Sequence, residues 1–291
     1  MSDSVASLRH KITNTQDLQS VVSTMKAMAA SSIGQYEAAV HSLDDYESTV
    51  QLGLAACFRQ RQSLDMIVQQ RQKQAAMGVI VFGSDQGLVG HFNEVMAEYV
   101  VDSLAKLPGK KTVWAVGERI QSRLADTGLL PTQSFKLPAS INAIPTLVGQ
   151  VLKAMEQQRT IGAIDSVSIF HHQPQTGSIY TPVLQQLLPL DDTWLKAINS
   201  LYWPTNNLPE VIGDVEHTLR ALVREYLFVG LFKACAESLA SENASRLMAM
   251  QRAEKNIDEL QQALQRSFHS LRQAKIDEEL FDVLAGFAAL N

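Results

Sequence analysis

Two long stretches free of proline, one at each end of the chain, constrain its fold more than any other feature. The first runs from about Ser4 to Lys73 and holds only Gly34 and Gly53 as potential breakers. Apolar residues recur there mostly at steps of three and four: Val5, Leu8, Ile12, Leu18, Val22, Met25, Ala29, Ile33, Tyr36, Val40, Leu43, Val50 and Leu54. That period is helical and holds over some fifty residues, so a single helix would reach roughly 75 Å. The last stretch runs from about Pro209 to Asn291 and has no proline in its interior. Stepping by seven from Leu222 gives Val229, Ala236, Asn243, Met250, Ile257, Leu264 and Leu271. A companion row holds Leu219, Tyr226, Ala240, Leu247, Ala253, Leu260 and Phe268, and Lys233 interrupts it. A repeat this close to 3.5 residues is a coiled-coil seam, roughly 120 Å long if unbroken, and the polar Asn243 within it fixes register.

Between these ends the character changes. Residues 75–204 hold eight of the nine prolines and ten of the fifteen glycines. Short apolar runs at Met77–Phe82, Thr112–Val116, Val167–His172 and Ile179–Leu187 read as strands. Helical patterns lie at Glu94–Leu107, Glu118–Asp126 and Ile144–Gln158. Strands alternating with helices of this length imply an α/β domain on a mainly parallel sheet. The expected architecture is α/β plus long helices. An antiparallel two-helix coiled coil forms from segments 1–74 and 205–291, with a central Rossmann-like domain at 75–204. The C-terminal helix is the longer, so its apolar tip Phe281–Leu290 projects past its partner and needs a socket.

Composition excludes several function classes. The net charge is −5 and no dense Lys/Arg run occurs, which argues against nucleic-acid binding. No run of about 18 apolar residues suggests a membrane span, and the N-terminus has no signal-peptide pattern, so membrane association would run through partners. Cys57 and Cys235 fall in no metal-ligand spacing and read as small buried hydrophobes. The loop Gly83-Ser84-Asp85-Gln86-Gly87-Leu88-Val89-Gly90 follows a strand and precedes a helix, where phosphate loops sit. It matches neither dinucleotide nor Walker spacing and has no lysine, so Gly83, Gly87 and Gly90 read as a structural turn. His171 and His172 are neighbours on a strand and point to opposite faces, which makes a shared metal unfavourable. They read as strand-end polar residues. Asp277, Glu278, Glu279 and Asp282 read as a solvated or partner-facing stripe. No catalytic residue, metal or cofactor site is expected.

Four segments carry a family resemblance. Ala240-Ser241-Glu242-Asn243-Ala244-Ser245-Arg246-Leu247-Met248-Ala249-Met250 resembles the ASE-x-x-x-R-M-x-AM segment of F-type ATP synthase γ subunits, with Asn256 at that family's next asparagine. Arg272-Gln273-Ala274-Lys275-Ile276, then Glu279-Leu280, Asp282 and Gly286, resembles its terminal signature. Thr24-Met25-Lys26-Ala27-Met28-Ala29-Ala30-Ser31 is similar to its N-terminal segment, and Ser84–Gly90 with Asn93 to its glycine loop. The matches come in the family's order across the whole chain. Asp277 stands where the family has threonine, Phe287 where it has alanine, Gln86 for arginine and Val89 for cysteine. These departures suggest a divergent or alternative-type bacterial branch. The regulatory insert of the chloroplast type is absent, so thiol control is not expected.

The resemblance implies a central-stalk rotor without a catalytic site of its own. Its partners would be the α3β3 ring, the ε subunit and the c-ring, and it would lie peripherally on the cytoplasmic side of the cell inner membrane. It further implies that Arg272 and Gln273, with Glu279 nearby, catch a β subunit, and that Asp277 alters that contact. Met25 and Lys26 would face the moving region of β, with Arg246 near the same level, and the tip with Phe287 would turn in an apolar collar. The coupled ion, proton or sodium, stays open. A competing reading is a soluble α/β phosphate- or nucleotide-binding protein with helical oligomerisation arms. It requires the Gly83–Gly90 loop to hold an anion.

Overall fold

The structure is a computed structural model that describes residues 4–60, 76–175, 178–190, 192–207 and 209–288. The elements in chain order are α1 (Val5–Ser42), α2 (Asp44–Gln60), β1 (Met77–Phe82), α3 (Phe92–Ala105), β2 (Lys111–Val116), α4 (Glu118–Asp126) and β3 (Gln133–Phe135). A 3-10 turn (Ile141–Ala143), α5 (Ile144–Thr160), β4 (Ser166–Gln175), β5 (Ser178–Leu188), α6 (Asp192–Asn199) and α7 (Val215–Ala288) follow. They form two compact units. One holds Met1–Ala30 with Arg246–Asn291, the other Ser31–Ser245. Helices α1 and α7 each contribute to both.

In the larger unit a five-stranded sheet has the order β3-β2-β1-β4-β5. The first four strands in that order run parallel, and β5 pairs antiparallel with β4. Alternation along β1 divides the core. Ile80 and Phe82 point into a cluster with Leu147 and Val151 of α5 and Leu231, Cys235 and Leu239 of α7. Val79 and Val81 point the other way, to Met96 and Val100 of α3 and Ile120 and Leu124 of α4. The sheet is thus covered on both faces, which is why its strands read as continuous apolar runs. A third cluster joins Leu54 and Phe58 of α2 to Leu195 and Ile198 of α6 and Leu219 of α7. Strand β3 and helix α6 gave no periodic signal in the sequence, because three and eight residues are too short for one.

The N-terminal helical segment is not continuous. It breaks at Leu43, whose N–H bonds the Val40 carbonyl while its own carbonyl accepts from Glu47 N. Asp44, Asp45 and Glu47 then start α2, where carboxylates favour the positive helix end. The expected extension to Lys73 falls beyond Gln60, outside the described residues. The break also explains Lys233. Its Nζ lies 2.8 Å from Asp44 Oδ1 and 2.6 Å from Glu47 Oε2. Burial disfavours this ammonium, but the hydrogen bonds of Asp44 and Glu47 outweigh that, and its pKa lies above the ordinary lysine value. Lys233 therefore fastens α2 to α7 where the heptad reading sees an interruption. At the other helix, α7 starts at Val215 rather than near Pro209. Gly213 takes φ 92°, and Asp214 caps the helix by accepting from Glu216 N at 2.9 Å.

The smaller unit contains the antiparallel helix pair. Gln19 donates to Asp258 Oδ1 and accepts from Gln261 Nε2, while Lys26 reaches Glu254, so rising numbers on one helix meet falling numbers on the other. Seen by burial, the α1 seam is Val5, Leu8, Ile12, Thr15, Gln19, Val22, Lys26 and Ala29, in strict steps of three and four. Leu18 and Leu260, both expected in the seam, are instead 56% and 50% exposed. The sequence rows reached them by slips in step. A helix turns about 100° per residue, so the true 3.5-residue track passes through their polar neighbours Gln19 and Gln261.

Candidate interaction surfaces

In the smaller unit, burial ends at Leu271. Every described side chain of α7 from Arg272 to Ala285 is exposed. Ile276, Leu280, Phe281, Val283 and Leu284 are each at least half exposed. No described part of the unit covers them. Arg272, Ile276, Glu279 and Val283 follow one helical stripe, and Gln273, Asp277, Leu280 and Leu284 the next. Polar groups thus lie at the root of the exposed stretch and apolar groups toward its end. Phe287 is on the same helix, but its side chain lies outside the described residues.

Lower on the pair, Met25 and Arg246 are half-buried. Lys26 Nζ sits 2.6 Å from Glu254 Oε2, with both side chains about one-third exposed. Glu254 lies eight residues beyond Arg246, about 12 Å along the helix axis, so Lys26 and Arg246 occupy different levels. The Glu254 contact escaped sequence reasoning, which has no way to rank carboxylates across two helices before the register is known.

In the larger unit the glycine loop is a closed structural turn. An added Cβ at Gly83 would lie 2.2 Å from Ile120 Cβ and 2.8 Å from Asn93 Oδ1. Gly90 takes φ 57°, and Leu88 takes φ 63°. Gly87 has room for a Cβ and lies outside the left-handed region. The loop's polar groups serve the fold itself. Ser84 N donates to Asn93 Oδ1, and Asn93 Nδ2 donates to Ser84 Oγ. Asp85 accepts from Glu118 N and Leu137 N, so a carboxylate caps α4. Ser245 Oγ of α7 donates to Val89 O at 2.6 Å. A loop carrying its own carboxylate disfavours an anion there, which weighs against the phosphate-binding alternative.

His171 and His172 are buried within β4 rather than polar residues at a strand end. They do point apart. His171 Nε2 lies 2.9 Å from Glu237 Oε2 of α7, and His172 Nε2 lies 2.9 Å from the Phe92 carbonyl. A carbonyl only accepts, so His172 carries its proton on Nε2. Its ring packs 4.2 Å from Phe92 and 4.4 Å from Tyr180, centre to centre. Burial drives its pKa down to about 4, although the bond to Phe92 works the other way. With Ser241 Oγ donating to His172 O, residues 237, 241 and 245 form a polar ladder that ties α7 to β4 and the glycine loop. An i, i+4, i+8 row of polar residues inside an apolar stretch is the sequence signal that could have found it.

This histidine makes stability depend on pH. Its folded pKa is below the unfolded value of 6.5, so the unfolded chain binds the proton first as pH falls. The contribution is intact above about pH 6.5 and is lost progressively toward pH 4. Urea unfolding of the full chain should show about 2 kcal/mol of loss from this residue between pH 7 and pH 5. His172→Gln, which does not titrate, should remove that part of the dependence. An identical pH slope in both proteins would contradict the assignment.

Among the described residues no group of three or more His, Cys, Asp or Glu could hold a metal, and no helix is long and apolar enough to cross a membrane. Cys57 and Cys235 are free and buried, and burial pushes both thiols up in pKa.

Residues 4–290 match the family model described as ATP synthase. The chain is 24% identical over 295 residues to the ATP synthase gamma chain of Polynucleobacter asymbioticus, covering 99% of each. It is 27% identical to that of Janthinobacterium sp. (strain Marseille), covering 97% of this chain and 98% of the relative. Its fold is similar to the rotor of Euglena gracilis mitochondrial ATP synthase, with TM-score 0.64 and 13% identity over 94% of this chain and 98% of that one. It is also similar to a chain of the central stalk and c-ring of the Tetrahymena thermophila enzyme, with TM-score 0.56 and 20% identity over 80% and 99%. With a family model matching over nearly its whole length and relatives that share one name, the chain belongs to the ATP synthase gamma-chain family.

Proposed function

We propose that this chain is the central-stalk rotor of an F-type ATP synthase and couples c-ring rotation, driven by proton or sodium flow, to ATP synthesis or hydrolysis in the α and β subunits. The observation that carries the reading is the run of exposed apolar side chains from Ile276 to Leu284 on a helix that its own partner helix no longer covers. Such a surface is costly in water and calls for an enclosing partner. The α3β3 ring encloses the tip, and the ε subunit and c-ring hold the sheet-bearing unit. The chain sits peripherally on the cytoplasmic face of the inner membrane and has no catalytic site of its own.

The physical basis of coupling is differential contact. An asymmetric shaft touches three chemically identical β sites unequally, so each rotational position favours a different site state. Apolar contact at the tip is non-directional and gives a bearing without one deep angular minimum. Arg272, Gln273 and Glu279, all exposed, offer the directional polar contacts, and Asp277 adds a negative charge beside them. Met25 and Lys26 face β lower down, with Arg246 on the other helix.

Two measurements test this. Tagging the chain and purifying the assembled ATPase should bring down the α, β, ε and c subunits, with hydrolysis driving ion movement. Equal ion-coupled hydrolysis by a complex lacking the chain would overturn the rotor role. Arg272→Ala and Gln273→Ala should each lower hydrolysis of the reconstituted complex severalfold. Unchanged rate and coupling in both would remove the polar catch.

A further inference from the structure

The sheet ends on one side at β3, a strand of three residues whose outer edge pairs with no strand among the described residues. The helical layers do not end with it. Helix α5 lies on one face and α4 on the other, and a cleft opens beside β3 on each side. The cleft against α5 measures about 730 Å³ and the one against α4 about 530 Å³, and both are lined by Ser134, Phe135 and Lys136. The two clefts share the strand edge as their common wall, with α5 residues lining one and α4 residues the other.

The charges of the two clefts differ. The α5 side carries Lys153 with Gln133, Gln150 and Gln157, and its lining contains no carboxylate. Lys136 lines both clefts. Lys153, Gln150 and Gln157 lie along one exposed face of α5. The α4 side carries Glu118, whose carboxylate is 3.6 Å from Lys136, together with Gln121 and Ser122. Side chains of an extended segment alternate between faces, so carboxylates at every second position would meet Lys153 and compete with Glu118 for Lys136, while small polar residues would meet α4.

We propose that the free edge of β3 is a docking site for an extended acidic segment of a partner protein, added as a sixth strand. Pairing along three residues supplies few main-chain hydrogen bonds, so the lysines carry the selectivity, and binding weakens with salt. Pro131 and Pro138 flank the strand and limit how far pairing extends, which guards the edge against open-ended aggregation. The inference does not depend on the rotor reading, because the site is formed within one unit of this chain.

The test uses the full chain and two fluorescent twelve-residue peptides, one alternating glutamate and threonine, the other lysine and threonine. The glutamate peptide should bind in fluorescence anisotropy at low salt and slow amide exchange at Gln133–Phe135. The double variant Lys136→Glu/Lys153→Glu should weaken binding at least tenfold. Both side chains are exposed, so the variant retains the fold. Any of four results would overturn the proposal: no binding, equal binding of the lysine peptide, binding without protection at β3, or a dimer formed through β3 that the peptide does not displace.

Discussion

Gly83→Ala is expected to destabilise the chain by about 3 kcal/mol or more, a substantial part of the stability of an ordinary domain. The added methyl would lie 2.2 Å from Ile120 Cβ, 2.6 Å from Ile120 Cγ2 and 2.8 Å from Asn93 Oδ1. None of these atoms is the free end of a flexible side chain. Ile120 is fully buried in the first turns of α4. Asn93 is held by two hydrogen bonds to Ser84, so moving it breaks the loop's own cap. Gly87→Ala is the matched control. Its nearest neighbour is the mobile end of Arg119 at 3.7 Å, and the change should stay within about 0.5 kcal/mol. Urea unfolding of the two variants beside the parent chain checks both values. Equal midpoints for Gly83→Ala and Gly87→Ala would mean the close approach at Gly83 does not limit stability.

The second large effect concerns function alone. Leu280→Asp with Phe281→Asp should lower ATP hydrolysis by the reconstituted complex at least tenfold, while leaving the unfolding midpoint of the isolated chain unchanged. Both side chains are more than half exposed in the chain by itself, so nothing in its own fold is lost. Enclosed in an apolar collar, two carboxylates would each cost several kcal/mol unless the assembly fails or the shaft is displaced. Parent-like hydrolysis would show that no partner encloses this stretch. A matching fall in chain stability would show instead that the residues belong to the chain's own core.

Most of the fold was legible because its signals are local. Helical period, proline-free ends and short apolar strands follow from the spacing of side chains along one backbone. The β1, β2, β4 and β5 regions and helices α3, α4 and α5 lie where patterns placed them, within a few residues. The rest depended on what meets what. Leu18 and Leu260 look like seam residues until the register between the helices is known, and then Gln19 and Gln261 occupy the seam. Lys233 looks like a flaw in a heptad until Asp44 and Glu47 arrive from a helix that starts at an unforeseen break. His171 and His172 look like strand-end residues because imidazole is polar. Their burial became possible only when Glu237 and the Phe92 carbonyl were brought to them. On the interaction surfaces, the sequence placed Arg272, Gln273, Asp277 and Glu279 on one helix, but not the exposure that starts immediately after Leu271.

The sequence by itself determined that the chain has two long helical ends around an α/β middle, and it carried the family's motifs in order. Both are properties of residues near one another along the chain. Only the tertiary structure decided which polar groups are partnered and which apolar ones remain uncovered. Those outcomes depend on distances between residues tens to hundreds of positions apart, such as Lys26 and Glu254 or Ser245 and Val89, and no periodicity encodes them.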